Sequence, residues 1–259
     1  MLACRIGLLP ARLEPGTLRV VLVASRNPLN IGAAARAMSN FGFLDLCVVN
    51  PYDVAFRTAV SAVGASDLLA HAREFSSVAE AVADCALVVG TTAAARREPK
   101  HPVHRLETGA RLIKNELRSA SVALLFGSEK RGLSNDDFTY CNWLLRIPTR
   151  DAHPSMNLAQ AVAVCLYELA RDGKAVRAKA PQNEASRPAT AAEAERLGSV
   201  LLSLLRASGY IKPRAAASAE EKTRRMLRRL ALSTRDAETL AGMLRQIQWK
   251  IESEAPRKP

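Results

Sequence analysis

The sequence predicts an α/β protein with a mostly parallel sheet, continued by an all-helical C-terminal extension. Three observations lead there. Short, β-branched apolar runs recur at 18–24, 44–49, 86–90, 121–126 and 143–147, and the stretches between them carry helical periodicity or turn formers. Strands alternating with helices build parallel sheets, because a parallel pair needs a crossover long enough to hold a helix. Beyond residue 190 the strand pattern stops and only amphipathic helical spacing remains.

Taken in order, the first 17 residues hold one apolar patch ending at Pro10, too short and interrupted for a signal peptide or membrane span, and read as a loose N-terminal arm. Strand 18–24 follows. Ile31, Ala34, Ala35, Met38 and Phe41 then give a helix, with Asn30 as its expected N-cap and Gly42 as a left-handed stop, before strand 44–49. Asn27, Asn30 and Arg36 do not serve that apolar stripe; they gather where the first strand ends, which is where open α/β sheets place ligands. An alanine-rich segment to about Phe75 is expected to be partly helical, broken at Gly64-Ala65-Ser66-Asp67. A short helix at 78–83 leads into strand 86–90, after which Thr91-Thr92-Ala93 are small enough to let a ligand approach the backbone.

Residues 104–118 read as a helix, 121–126 as a strand running into Gly127-Ser128-Glu129-Lys130-Arg131-Gly132-Leu133, and Ser134 with Asp137 as a helix start. Strand 143–147 gives way to a turn-rich loop, 148–154. The next helix begins near Ser155 or Asn157, shows Leu158, Ala161, Val162, Cys165, Leu166 and Leu169 on one face, and stops at Arg171-Asp172-Gly173. Residues 174–190 have linker composition, and helices are expected at 191–207, 220–232 and 234–252, divided by Gly209, Pro213 and Ser233.

The chain carries 37 Lys and Arg against 25 Asp and Glu, a net charge of +12, which favours a polyanionic partner. Residues 171–259 hold 19 of the basic and only 10 of the acidic side chains, so the helical third is the electrostatic handle. Five cysteines stand far apart, four of them in apolar runs, as expected of reduced, buried thiols in a cytoplasmic protein. His101-Pro-Val-His104 has no cysteine or carboxylate beside it, so no metal site is expected.

Three loops follow predicted strands: 27–36, 127–133 and 148–157. In a parallel sheet they share one edge, so their polar residues can converge. Neither G-x-G-x-x-G nor a P-loop is present, so no dinucleotide or triphosphate is indicated. Taken singly, Glu129 reads equally well as a solvated loop residue, while Ser155 reads more readily as an N-cap, Asn157 as a turn residue and Arg36 as a solvated helix residue.

Together, Asn30-Ile-Gly-Ala-Ala-Ala-Arg36, Phe126-Gly-Ser-Glu129-Lys-Arg-Gly-Leu133 and Ser155-Met-Asn157-Leu-Ala resemble the three ordered motifs of the SpoU branch of the SPOUT RNA methyltransferases. The tail LLSLLRASGYIKP, with EKTRRMLRRL after it, resembles the helical extension of that family's TrmJ group, whose members methylate the ribose 2′-oxygen of nucleotide 32 in the tRNA anticodon loop. Met156 stands where the third motif usually has leucine, a nearly isosteric exchange. The resemblance implies an arm at 1–17, a methyltransferase domain with a deep trefoil knot at 18–173, a linker at 174–190 and a tRNA-binding extension at 191–259. It also implies S-adenosylmethionine as methyl donor, a homodimer formed through the knotted domain, and no membrane. Thr91, Thr92, Ala93, Gly127, Ile147, Pro154, Ser155 and Met156 would line the cofactor pocket, and Asn30, Arg36, Glu129, Ser155 and Asn157 would surround the reaction.

A guanidinium is a poor base because it is almost never neutral, so Arg36 is expected to hold a phosphate or stabilise a developing alkoxide. Arg224, Arg225, Arg228 and Arg229 lie over adjoining helix faces and are expected to contact tRNA phosphates, giving a salt slope of about −4 if some five phosphates are neutralised. Arg96-Arg97 either contact RNA or are simply solvated. Two alternatives stay open: the same chemistry on ribosomal RNA, and a knotted RNA-binding protein without catalysis.

Overall fold

The computed structural model describes residues 16–51, 57, 59, 61–93, 101–171, 187–212, 214 and 216–254. The expected arm up to residue 15, Arg96-Arg97, Pro213 and most of the expected linker lie outside the described residues.

Strands β1 (Leu18–Val23), β2 (Asp45–Val49), β3 (Arg73–Phe75), β4 (Leu87–Thr91), β5 (Val103–Arg105), β6 (Val122–Phe126) and β7 (Trp143–Arg146) form one sheet in the order β3-β2-β1-β6-β4-β7-β5. Every pair is parallel. The chain winds outward from β1 to β3, crosses to β4 on the other side of β1, and later fills the gap with β6. Five strands match the apolar runs. β3 and β5 were not expected, because Arg73-Glu74-Phe75 and Val103-His104-Arg105 are polar edge strands whose identity comes from hydrogen bonding to β2 and β7.

Helices α1 (Pro28–Phe41), α4 (Leu106–Glu116) and α6 (Leu158–Ala170) cover one face, where Val20, Leu22, Leu124 and Phe126 join Ile31, Met38, Ile113, Val162 and Leu166. The opposite face buries Val21, Val23, Ala123, Leu125 and Leu144 with Val78, Val82 and Cys141. The alternation along β1 and β6 is the two-residue period of strands buried on both sides. Each such Val or Leu contributes about 1.5–3 kcal/mol relative to exposure.

One residue breaks the apolar pattern. Arg19 is 2 % exposed and shares the face of Val21. Its Nε donates to Asp45 at 2.9 Å, its Nη1 to the Ala81 carbonyl at 2.8 Å, and its Nη2 to Asp84 at 2.9 Å. Burial alone would lower its pKa, but the bonds to Asp84 and the charge of Asp45 raise it and keep the guanidinium ionised.

Helix α1 begins earlier than expected. Asn27, not Asn30, is the N-cap and accepts from the Leu29 N–H at 3.0 Å, because Pro28 suits a first helical position. Gly42 closes the helix at φ 78°, as expected. Of the segment before Phe75, helix α2 (Ser66–Ala70) and β3 are described, and α3 (Val78–Ala81) follows with Ser77 as cap. Ser134 and Asp137 form a full capping box at α5 (Asn135–Thr139). Three further helices, α7 (Ala191–Ala207), α8 (Ala216–Leu230) and α9 (Thr234–Glu254), enclose Leu197, Leu227, Ala237 and Ala241. No described helix is long and apolar enough to cross a membrane.

Candidate active site

Register fixes where the loops meet. Leu22 pairs with Phe126, Leu125 with Gly90 and Thr91 with Leu145, so β1, β6, β4 and β7 end side by side. The segments leaving those ends are 24–30, 127–133, 91–93 and 147–157. They lie next to the place where the strand order reverses, the usual ligand crevice of such sheets.

Glu129 is the hub. Its Oε1 accepts from Ser25 Oγ at 2.9 Å, Asn30 Nδ2 at 2.8 Å and the Asn27 N–H at 3.4 Å, while Oε2 accepts from the Arg26 N–H at 3.1 Å. Asn157 Nδ2 in turn donates to Asn30 Oδ1 at 3.0 Å. The displaced cap explains the geometry: with Asn27 capping α1, the Asn30 amide in the first turn is free to bridge Glu129 and Asn157. Asn157 is itself the N-cap of α6, accepting from the N–H groups of Ala159 and Gln160. One side chain therefore both starts a helix and ties the third loop to the first.

Partial burial pushes the Glu129 carboxyl upward, but the donors from Asn30, Arg26 and Ser25 outweigh it and hold the group below the usual glutamate value. A carboxylate engaged by four donors is a fixed negative charge and a weak base.

The other expected residues are placed as follows. Thr91 is half-buried and donates through Oγ1 to the Leu125 carbonyl at 2.9 Å, and the Thr92 N–H donates to the Leu145 carbonyl at 2.9 Å. Ala93 and Ile147 are half-buried at adjacent strand ends. The Pro154 carbonyl accepts from Thr149 Oγ1 at 3.1 Å, folding the third loop back on itself, and Ser155 and Met156 are exposed beyond it. At Gly127, an added Cβ would lie 2.0 Å from the Gly132 carbonyl carbon and the Leu133 nitrogen, so only glycine allows the 127–133 loop to pack on its own backbone. Gly132 sits at φ 67°, and its N–H donates to the Ser128 carbonyl at 2.8 Å.

Asn30, Glu129 and Asn157 thus come together. Arg36 and Ser155 are exposed, and their side chains make no hydrogen bond among the described residues. Arg36 lies about two and a half turns along α1 from Asn27, about 9 Å beyond Asn30. Ser25 and Arg26 were missed by sequence reasoning, Ser25 despite a signal: it is a polar residue, 1 % exposed, at the end of an apolar strand. Among the described residues, no three metal-ligating side chains gather.

The four arginines of α8 do not act alike. Arg228 is 5 % exposed and Arg224 is half-buried against Glu195, Thr139 and the Tyr140 ring. Arg225 pairs with Glu221 at 3.1 Å, and Arg229 is exposed. The expectation that all four face phosphates is corrected for Arg224, Arg225 and Arg228, the Arg225 side chain being only 13 % exposed. Positions 224 and 228, four apart, fall on the side of α8 that carries Leu227 and packs inward.

The chain has clear relatives. It is 35 % identical over 92 % of its length to the tRNA (cytidine/uridine-2′-O-)-methyltransferase TrmJ of Sodalis glossinidius, covering 94 % of that protein. Against the Cronobacter sakazakii TrmJ it is 33 % identical over 93 % of its length and 98 % of the relative. The crystal structure of TrmJ from Z. mobilis superposes with a TM-score of 0.78 at 32 % identity, covering 90 % of this chain and 99 % of that one. A probable methylase family protein from Haemophilus influenzae superposes with a TM-score of 0.54 at 28 % identity, covering 91 % of this chain and 97 % of that one. Residues 17–167, which contain the Glu129–Asn30–Asn157 network, match the SpoU rRNA Methylase family, and the chain belongs to that family of methyltransferases.

Proposed function

We propose that this protein transfers a methyl group from S-adenosylmethionine to the ribose 2′-hydroxyl of a cytidine or uridine in tRNA, at nucleotide 32 of the anticodon loop, in the cytoplasm. The observation that carries the reading is the hydrogen-bonded line Glu129–Asn30–Asn157 at the common edge of β1, β6 and β7. The TrmJ relatives, similar over nearly their whole length, support tRNA and the 2′-oxygen.

The residues present fit the cofactor. Thr91, Thr92, Ala93, Gly127, Ile147, Pro154, Ser155 and Met156 are small or apolar and sit on three neighbouring strand ends, and Gly127 lets the 127–133 loop fold tightly on its own backbone beside them. When bound, S-adenosylmethionine supplies an electrophilic methyl group on a sulfonium. This chain's part is to orient the ribose oxygen and to stabilise it as it loses its proton. Glu129, saturated with donors, sets the position of Asn30 and, through it, Asn157. Arg36 supplies positive charge to a substrate phosphate or to the developing alkoxide. The reading includes a deep trefoil knot and a homodimer formed through the knotted domain, with residues 18–173 as that domain and 191–259 as the tRNA-binding extension.

The test is incubation of the purified protein with unmodified tRNA transcripts and labelled S-adenosylmethionine, followed by mapping of the methylated nucleotide. Label on the ribose of nucleotide 32 is expected. Label only on ribosomal RNA overturns the substrate, and no label with cofactor bound overturns the catalytic reading.

A further inference from the structure

The helical extension meets the catalytic sheet at the edge away from the active site. The Ala191 and Ala192 N–H groups donate to the carbonyls of Cys85 and Ala83, just before β4 begins. Asn142, just before β7, accepts the Val88 N–H through Oδ1 at 2.8 Å and donates through Nδ2 to the Arg228 carbonyl at 3.1 Å. That carbonyl belongs to the last turn of α8, where helical partners run out, so the catalytic domain supplies the missing bond. The proposed cofactor loop starts at Ile147, the other end of β7, about 15 Å away.

Two guanidinium groups complete this junction. Arg224 lies 4.7 Å over the Tyr140 ring, donates to Thr139 Oγ1 at 3.1 Å, and reaches Glu195 of α7 at 3.3 Å. Arg228, four residues on, is buried beneath it with its Nη2 3.5 Å from the Ala191 carbonyl. Arg224 thus binds the turn between α5 and β7, a segment that lies in sequence between the Glu129 loop and the proposed cofactor loop, while the Arg228 guanidinium faces the start of α7 and its main-chain carbonyl takes the Asn142 bond. Lys222 and Arg229, seven residues apart on α8, fall on the other side of the helix and are exposed.

We propose that Arg224 is a positioning residue that clamps the helical extension to the α5–β7 corner, with Arg228 fixing α8 against the start of α7, so that RNA phosphates captured by Lys222 and Arg229 are held in register with a reaction at the opposite sheet edge. The inference rests on the RNA methyltransferase reading for its purpose, and on the Asn142, Thr139 and Tyr140 contacts for its geometry. Phosphates gripped by α8 belong to a part of the RNA remote from the methylated nucleotide. Binding by the extension then serves full-length tRNA and is of no use to an isolated anticodon stem-loop.

The test compares full-length protein carrying Arg224→Lys, Tyr140→Leu, or the pair Lys222→Gln and Arg229→Gln. Arg224→Lys keeps the charge and loses the planar fork that spans Glu195, Thr139 and Tyr140. Without RNA, Arg224→Lys and Tyr140→Leu are expected to speed amide hydrogen exchange in α8 at least tenfold, while the exposed pair leaves it unchanged. With RNA, Arg224→Lys should raise KM for full-length tRNA about tenfold with kcat within twofold and the salt slope as in the wild type. The exposed pair should flatten the slope by about 1.5. Wild-type exchange in Arg224→Lys and Tyr140→Leu overturns the clamp, as does an equal KM rise on a stem-loop. If the wild type methylates no RNA, the functional reading fails on its own, and the exchange result still decides the clamp.

Discussion

Asn157 donates its side-chain N–H to Asn30 Oδ1 at 3.0 Å across 127 residues of sequence, while its own Oδ1 caps α6. The two jobs can be separated. Asn157→Asp keeps an acceptor for the cap but cannot donate to Asn30, and it adds a negative charge near Glu129. Asn157→Ala loses both, with about 1 kcal/mol of cap stability. Thermal melts should show the larger loss for Asn157→Ala, and single-turnover methyl transfer should fall about 100-fold in both.

Glu129→Gln places an amide N–H against donors from Ser25, Arg26, Asn27 and Asn30 and leaves at least one unpaired, costing about 1–3 kcal/mol. The pH dependence has a definite sign. A carboxyl held below its ordinary value contributes stability that is present above that value and lost as the pH falls through the lowered one. Denaturation midpoints of wild type and Glu129→Gln should therefore differ at neutral pH and converge as the pH drops below about 4.

Arg36→Lys separates two roles for Arg36. As an electrostatic anchor, Arg36 loses its planar fork and turnover drops at least tenfold, with no new acid limb in the pH–rate profile. Near-normal turnover with a bell shifted to lower pH would instead assign Arg36 as the base.

Arg19→Ala removes the cation buried between Asp45 and Asp84, leaving Asp45 13 % exposed beside the still-present Arg73. A loss of about 3–5 kcal/mol in urea unfolding is expected. Arg19→Met, which refills the space with an apolar chain, should recover part of it.

Cys47, Cys85 and Cys165 are pushed up to about 12 by burial, and Cys141 is raised by the same cause. None of the four should react with iodoacetamide at pH 8 in the native state, and all four should label in denaturant, as peptide mapping will read.

Local patterns were enough to reveal the five apolar strands, the α6 stripe, the Gly42 stop and the Ser134 capping box, because each depends on residues within a few positions of one another. The sheet order, the edge strands β3 and β5, and the start of α1 were not legible. The first two depend on which neighbour completes a backbone, and the third on Pro28 competing with Asn30 for the helix start. The site divides the same way. Three ordered motifs marked Asn30, Glu129 and Asn157, but only parallel register brings their strand ends side by side and lets one amide bridge the other two. Charge counting located the basic helix and could not say which arginines were free. Three of the four α8 arginines, Arg224, Arg225 and Arg228, are largely withdrawn from solvent, because which side of α8 packs inward is decided by its neighbours in α5 and α7.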